Sequence, residues 1–493
     1  MVVGIDVGTT AVKGILLDDE ARVMEVAAHA HDLRNPRSTW AEEDPGDWWG
    51  GTVHVLQRLL RSCDVEGIRA VGVSGMVPAV VGLDTHGRPV RPSIQQNDAR
   101  AHEEVRWFAD RFDEDGLFAR TGATWNQQLV APKILWLARH EPDAWARVER
   151  VTGSYEYITE RLGADPYTEC NWAIESGLWD VRRESWLEPI LEAAGGHVRQ
   201  LRQVARPHQV VGEVSRAASA ETGLVAGTPL IAGSADHIAA AFAAGLQHPG
   251  DVVMKFGGAG DFLYATDAFE PVRELFIDYH DVPGRFVVNG CMASSGSLVK
   301  WFQGQFAPDR SFAELDASAA AVEAGADGLV LLPYFLGEKT PIHDPLARGT
   351  LVGLTISHTP AHVHRAVLEG VAFAFRHHLD VLRAAGYPIR RVYMMDGGAR
   401  SALWRQVLAS VLDHEIVRLR SGESGSALGV ALLAGVSAGS WHWDEVPGFV
   451  HEDGTTEPDG PSVHRYDELY AIYRELYRRL ESLYPELMEA ARA

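Results

Sequence analysis

Asp236 stands directly behind an apolar run, Pro229–Ala232, and opens an alanine-rich helical pattern, Asp236–Ala244. A carboxylate in the first turn of a helix is held ionised by the helix dipole and can take a proton from a hydroxyl nucleophile. A plain N-cap is the competing reading of the same residue. Three glycine turns bring a second kind of chemistry: Asp6-Val7-Gly8-Thr9-Thr10, Phe256-Gly257-Gly258-Ala259-Gly260 and Asp396-Gly397-Gly398-Ala399. Each follows an apolar, β-rich run. Glycine lets backbone N–H groups approach a phosphate closely, and such nests attract anions without net positive charge. The first turn adds two hydroxyls, with Lys13 three residues beyond Thr10. Any one such turn suits an ordinary hairpin; three flanked by aspartates point to phosphate.

Other signatures are missing or misplaced. No G-x-x-x-x-G-K-[ST] run occurs, and no G-x-G-x-x-G follows a strand, so neither a P-loop nor a dinucleotide fold is expected. Gly435-Val436-Ser437-Ala438-Gly439 matches G-x-S-x-G but follows a helix pattern, which removes the nucleophile-elbow geometry. Ser297-Leu298-Val299-Lys300 matches S-x-x-K without the companion motifs. His362/His364 and His377/His378 lack partners at metal spacing and read as helix-face residues.

The elements that must position these residues follow from the apolar pattern. Val2–Ile5 and Ala11–Leu17 read as an opening β-hairpin, and Ala70–Ser74 and Ala79–Leu83 as further strands. Helices are expected at Pro45–Arg61, Ala101–Arg111 and Pro132–Arg139. Gly245–Gly250 is turn-rich and marks the expected domain boundary. Beyond it, Asp251–Gly260 and Phe262–Tyr264 restart the chain with a second glycine-turn hairpin, which suggests an internal duplication. Gly328–Leu332 and Arg391–Met395 read as strands and Pro360–Ala384 as a long helix, with Ser401 capping Ala402–Leu412 and a small-residue helix at Ser424–Ala434. One terminal amphipathic helix, from His464 to Ala493, carries a tyrosine stripe that serves packing.

Composition narrows the class. The 493 residues carry 45 Lys+Arg against 67 Asp+Glu, a formal charge of −22, with 46% hydrophobic and 23% charged residues. That balance is globular and lacks the basic footprint of a nucleic-acid or anionic-membrane binder. Any phosphate ligand must be neutralised locally. Cys63, Cys170 and Cys291 are too sparse for a disulfide framework or zinc site. No apolar run reaches bilayer-spanning length and no secretory leader opens the chain, so a soluble, cytoplasmic protein is expected.

Several stretches together resemble the FGGY carbohydrate kinases, nearest to their xylulokinase branch. They are Gly4–Lys13, Trp40–Pro45, Gln96–Arg100, Ala131–Trp136, Gly233–His237, Gly349–Leu354 leading into His362–Glu369, Asp396–Gln406 and Glu423–Gly429. The resemblance implies an α/β fold of two ribonuclease-H-like (actin-like ATPase) domains flanking a catalytic cleft. It implies residues 1–247 as the sugar-binding and catalytic domain and 248–493 as the nucleotide-binding domain. The activity implied is transfer of the γ-phosphoryl of MgATP to a hydroxyl of a ketose or polyol, by an enzyme for which a homodimer is open. A same-fold ATPase or sugar sensor without kinase turnover is the alternative.

Carried over residue by residue, Asp236 looks like the catalytic base and Asp6 the ligand of Mg²⁺. Gly8, Thr9, Thr10 and Lys13, with Gly257, Gly258 and Gly260, would face the phosphates of ATP. Gly397, Gly398, Ala399 and Ser401, with Glu423–Ala427, would bound the adenosine. Trp40, Glu42, Asn97, Asp98, Arg100 and Asp236 would line the sugar site, with Met76 and Val77 beside them. The chain departs from xylulokinases where a Gln-Met-His-Gly stretch becomes Met76-Val77-Pro78-Ala79, where a tryptophan becomes Gln96, where Thr-Ser becomes Gly258-Ala259, and where an asparagine becomes His237. A pocket that loses a polar partner loses discrimination for the hydroxyl it read, so a main substrate other than D-xylulose is expected.

Overall fold

The computed structural model describes residues 1–37, 39–420 and 425–492. β1 (Val2–Val7) and β2 (Ala11–Leu17) form the expected hairpin, with Asp6 opposite Lys13. Every residue of β1 is buried, as suits a β-branched run at a sheet centre. β3 (Val23–Ala30) pairs antiparallel with β2, β4 (Ala70–Gly75) lies parallel to β1, and β5 (Pro229–Ile231) lies parallel to β4. The sheet order is therefore β5-β4-β1-β2-β3, with Val210–Glu213 added at the β5 edge.

A second sheet repeats that plan. β6 (Asp251–Phe256) and β7 (Gly260–Thr266) form a hairpin, β8 (Phe276–Tyr279) edges the sheet, and β9 (Phe286–Met292) continues the meander from β7. β10 (Arg391–Met395) lies parallel to β6 and β11 (Ile416–Leu419) parallel to β10. The suggested duplication is present as topology: a three-stranded meander extended, beyond its first strand, by two successive parallel strands.

The parallel strands of each sheet end in register, Val7 beside Gly75 beside Ala235 and Lys255 beside Met395. The glycine turns and Asp236 therefore collect at the carboxyl ends of the strands, where open α/β sheets place their ligands.

The expected boundary at Gly245–Gly250 separates the two sheets along the chain but not the packing. Helix α1 (Asp236–Ala243) covers the first sheet, and α2 (Gly425–Ser437), from far beyond the boundary, lies on β1, β4 and α1. One face of the first sheet takes its cover from the second half of the chain, while the helix Pro45–Leu59 packs on β2 and β3. Contact is close enough to exclude side chains: a Cβ on Gly4 would sit 2.1 Å from the Ala427 carbonyl oxygen, and one on Gly429 1.8 Å from that of Ala239. Conversely, Cys170, Ile174 and Trp179 precede the boundary yet are buried with Ile277 and Tyr279 in the second core.

Smaller differences have local causes. Ala79–Leu83 shortens to a strand at Val81–Leu83, paired with Arg150–Thr152 in a separate ribbon. The terminal helix divides into Gly460–Leu480 and Leu483–Arg492, and Tyr466, Tyr470 and Tyr473 of its stripe are buried. Among the described residues no helix is long and apolar enough to cross a membrane.

Candidate active site

A cavity of about 310 Å³ opens between the two sheets, with Asp236 and His237 on one wall and Lys255, Asp261 and Asp278 on the other. Ala235, not Asp236, is the N-cap of α1, and no side chain caps this helix. Asp236 is thus free of the capping duty that sequence alone could assign it. Its side chain is 39% exposed to the cavity, and Oδ1 accepts the His237 backbone N–H at 2.6 Å.

Asp6, at the end of β1, is buried and accepts a hydrogen bond from Ser74 Oγ at 3.0 Å. Burial, then the charge of Asp236, push its pKa up to about 7 against the pull of Ser74, Lys13 and Lys255. Two carboxylates that repel each other across a partly dry gap fit a cation between them. Lys255, at the matching position of β6, pairs with Asp261 across the hairpin at 3.0 Å. Burial pulls the Lys255 ammonium down, but Asp261 and Asp396 outweigh it and hold the pKa above the ordinary lysine value.

The turns divide by role. Gly8 closes its turn with an N–H donated to the Ala11 carbonyl at 3.1 Å, and Thr10 lies exposed beside it. Gly257 and Gly258 sit on the rim and accept backbone N–H groups of Ser295, Gly296 and Ser297 at 2.8–3.1 Å. The helix Gly296–Phe306 is thereby pinned to this turn, with the Ser294, Ser295 and Ser297 hydroxyls buried and without partners among the described residues. Gly260 is buried, with Phe375 and Ser295 3.0–3.3 Å from where a Cβ would be, so it serves packing. In the third turn Gly397 is exposed, Gly398 packs on Phe256 and Trp404, Ala399 is buried, and Ser401 Oγ accepts the Trp404 N–H as a helix cap. Asp396 holds a φ of +71°, a strained value for a residue with a Cβ. Glu423 and Ser424 lie outside the described residues.

Comparison with known proteins decides the family. The FGGY carbohydrate-kinase N-terminal domain matches residues 1–243 and its C-terminal domain residues 258–438. This chain belongs to the FGGY family of carbohydrate kinases. It is 41% identical to the crystal structure of xylulose kinase from Rhodospirillum rubrum, at a TM-score of 0.93 over 98% of this chain and 99% of that one. It is 29% identical to the xylulose kinase of Lactococcus lactis over 99% of this chain and 98% of the relative. It is 24% identical to the gluconokinase of Bacillus subtilis over 99% and 98%. The two-domain α/β fold and a carbohydrate kinase's activity follow.

Within this FGGY kinase the residues expected at the sugar site separate into two groups. Val77 and Asp236 line the cavity. Trp40, Glu42, Asp98 and Arg100 do not; they form a buried network behind it. Asp98 accepts Arg100 Nε at 2.9 Å and the Ala41 N–H at 2.6 Å, Arg100 reaches Glu42 at 2.7 Å, and its guanidinium lies 3.8 Å above the Trp40 ring. Asp98 and Arg100 satisfy each other, so neither charge is available to a sugar without breaking a buried pair. Met76 is also buried, and Asn97 is exposed and not among the residues lining the cavity. Gln96 takes the lining position instead. Lys133, fully buried, donates to the carbonyl oxygens of Gln95 at 2.8 Å, Gln128 at 3.2 Å and Gln96 at 3.4 Å, tying the network to the wall; burial pushes its pKa down to about 7.

Sequence reading missed Lys255 and Asp261, Asn126, Gln128, Asn289 and Lys339, all on the cavity wall. The first two carried a signal: cross-strand positions in the second hairpin equivalent to Asp6 and Lys13 in the first. The others come from segments with no local motif.

Proposed function

We propose that this FGGY kinase transfers the γ-phosphoryl of MgATP to a hydroxyl of a ketose or polyol bound in the interdomain cavity, with Asp236 accepting the hydroxyl proton. The observation that carries the reading is Asp236 itself: a carboxylate with no capping role, open to the cavity and close enough to Asp6 to raise its pKa. Phosphoryl transfer asks for positioning and charge neutralisation more than covalent catalysis. Asp236 orients the acceptor hydroxyl and removes its proton as the bond to phosphorus forms. Lys255 on the cavity wall, and Lys13 opposite Asp6 in the first hairpin, offset negative charge on the donor phosphates. The Gly8–Thr10 and Gly257–Gly258 turns, with the unpartnered hydroxyls of Ser294, Ser295 and Ser297, supply neutral donors to the same oxygens. Asp6 would hold the Mg²⁺, which supplies charge neutralisation at the phosphates when bound. Gly397 is the position in the third turn best open to adenosine, while Gly398, Ala399 and Ser401 shape it.

Trp40, Glu42, Asp98 and Arg100 act through Gln96 and Gln128, as a rigid support for the acceptor wall. That wall carries Val77, Leu129, Ile174, Leu263 and Ile277 beside its amides and carboxylates. Pro78 stands where the resembled stretch carries its histidine, and with Val77 beside it on the wall this favours an acceptor whose hydroxyl pattern differs from that of D-xylulose. ATP as donor places the reaction in the cytoplasm. Coupled ADP release, measured across ketopentoses, ketohexoses, tetruloses and polyols, tests both levels. Acceptor-dependent release is expected; release indifferent to every acceptor would refute the kinase reading. A kcat/KM for D-xylulose far above all other acceptors would refute the apolar-wall argument alone.

A further inference from the structure

Three side chains on the acceptor side meet in an arrangement to which the proposed reading assigns no role. His237 follows Asp236 on α1, Glu175 ends the helix Cys170–Glu175, and Asp278 lies on β8. His237 Nε2 is 3.2 Å from Asp278 Oδ2 and 3.9 Å from Glu175 Oε1. One ligand atom from each of the three lies within 4.8 Å of the others. Metal–ligand bonds of ~2.0–2.2 Å set neighbouring ligand atoms roughly 3–4 Å apart, which the two shorter separations match.

Two further observations point to a ligand. Asp278 is almost wholly buried, at 2% exposure, yet its Oδ1 has no hydrogen-bond partner among the described residues, and neither has Glu175 Oε1. A buried carboxylate oxygen left bare costs free energy unless a cation meets it. The surroundings also have the form of an outer coordination shell. His237 Nδ1 lies 3.4 Å from Asp236 Oδ1, so the tautomer that donates there leaves the Nε2 lone pair turned toward the two carboxylates. Asn289 Nδ2 donates to Asp278 Oδ2 at 2.6 Å and fixes that carboxylate's orientation.

We propose that Glu175, His237 and Asp278 bind a divalent transition-metal ion of the zinc class, at a site separate from the cation that accompanies ATP. One imidazole nitrogen with two carboxylate oxygens suits zinc, manganese or cobalt, whereas magnesium prefers oxygen ligands alone. Three protein ligands leave a coordination position open, the pattern of zinc sites that keep exchangeable ligands. All three residues line the cavity, so that position faces the space a sugar or polyol hydroxyl would enter. Without the ion, burial and the charge of Asp278 push the Glu175 carboxyl well above its ordinary range. For His237, burial pulls the pKa down, but hydrogen bonds to Asp236 and Asp278 more than offset it.

The site does not depend on the kinase reading, and its test needs no turnover. Zn²⁺ is titrated calorimetrically into the nucleotide-free full-length protein at pH 7.5, with Co²⁺ as a spectroscopic stand-in. The expected result is a high-affinity class of one ion per chain, with Co²⁺ giving visible d–d bands. His237→Asn and Glu175→Gln should each weaken it at least ~10-fold and remove the bands, while Asp6→Asn leaves both intact. Far-UV circular dichroism checks that each variant folds; should His237→Asn fail, Glu175→Gln decides by itself. Three results would overturn the proposal: no such ion class in the parent protein, equal affinity in the folded variants, or loss of the class in Asp6→Asn.

Discussion

Replacing Asp236 by asparagine isolates one proton transfer from everything else the residue does. Ala235 is the cap of α1 and Asp236 makes no capping bond, so the helix start loses nothing. The bonds Asp236 Oδ1 does make, accepting the His237 backbone N–H at 2.6 Å and facing His237 Nδ1 at 3.4 Å, can both be kept by an amide oxygen. Folding stability should therefore shift by no more than the ~0.5 kcal/mol of an ordinary surface change. The barrier is another matter. A positioned general base contributes ~10²–10⁴ in rate, which at ~1.36 kcal/mol per decade is roughly 3–5.5 kcal/mol. Removing the charge also relieves Asp6, whose pKa is raised in part by Asp236, so affinity for MgADP should hold or fall slightly through lost attraction. The assay is coupled ADP release at saturating acceptor, with calorimetric binding of MgADP and of the acceptor as controls. Retention of more than about a tenth of the parental kcat with both affinities intact would show that Asp236 is not the base.

Asp6 and the buried network give two more tests. Asp6 has a folded pKa of about 7 against 3.8 unfolded, so its protonated form adds stability at low pH that is lost as pH rises through 7. Each tenfold change in proton affinity is worth ~1.36 kcal/mol, so Asp6→Asn should stabilise the ligand-free protein at pH 8 by a few kcal/mol, with the gain vanishing toward pH 4. Thermal melts across that range check it, and a pH-independent gain would contradict it. Asp98→Ala strands the buried Arg100 with Glu42 as its remaining partner and should cost ~3–5 kcal/mol in urea unfolding. It should also raise the acceptor KM more than it lowers kcat, because the network supports Gln96 on the cavity wall.

What could be read in advance was what local spacing controls. β1 and β2 were legible because a β-branched run, a glycine turn and a second apolar run leave few alternatives. Asp236 was legible as a strand-to-helix junction, and Ser401 as a cap. The buried network shows the limit of a motif: the family resemblance puts Trp40, Glu42, Asp98 and Arg100 among the expected sugar-site residues, but nothing in their order says that the charges of Glu42, Asp98 and Arg100 pair with each other. Glu175, Asp278 and Asn289 were illegible for a different reason. They reach one cavity from a helix end, an edge strand and its neighbour, and only the packing of Cys170–Glu175 against β8 joins them. The same long-range packing carries α2 across the expected boundary, where Gly4 and Gly429 record it in the sequence without naming each other.

The two hairpins show why a duplicated plan yields one active site rather than two. Asp6 and Lys13 face each other at the mouth of the first, and Lys255 and Asp261 at the same positions of the second. The charges are inverted: a carboxylate on the first strand of one unit, an ammonium on the first strand of the other. Two carboxylates there would repel donor phosphates from both sides, and two ammonium groups would leave no ligand for a divalent cation. With one of each, and Asp236 added from the first unit alone, the gap is polarised. On the proposed reading, proton removal and cation binding fall to Asp236 and Asp6 of the first unit, while Lys255 of the second adds to Lys13 in attracting phosphate, in a chain whose net charge is −22.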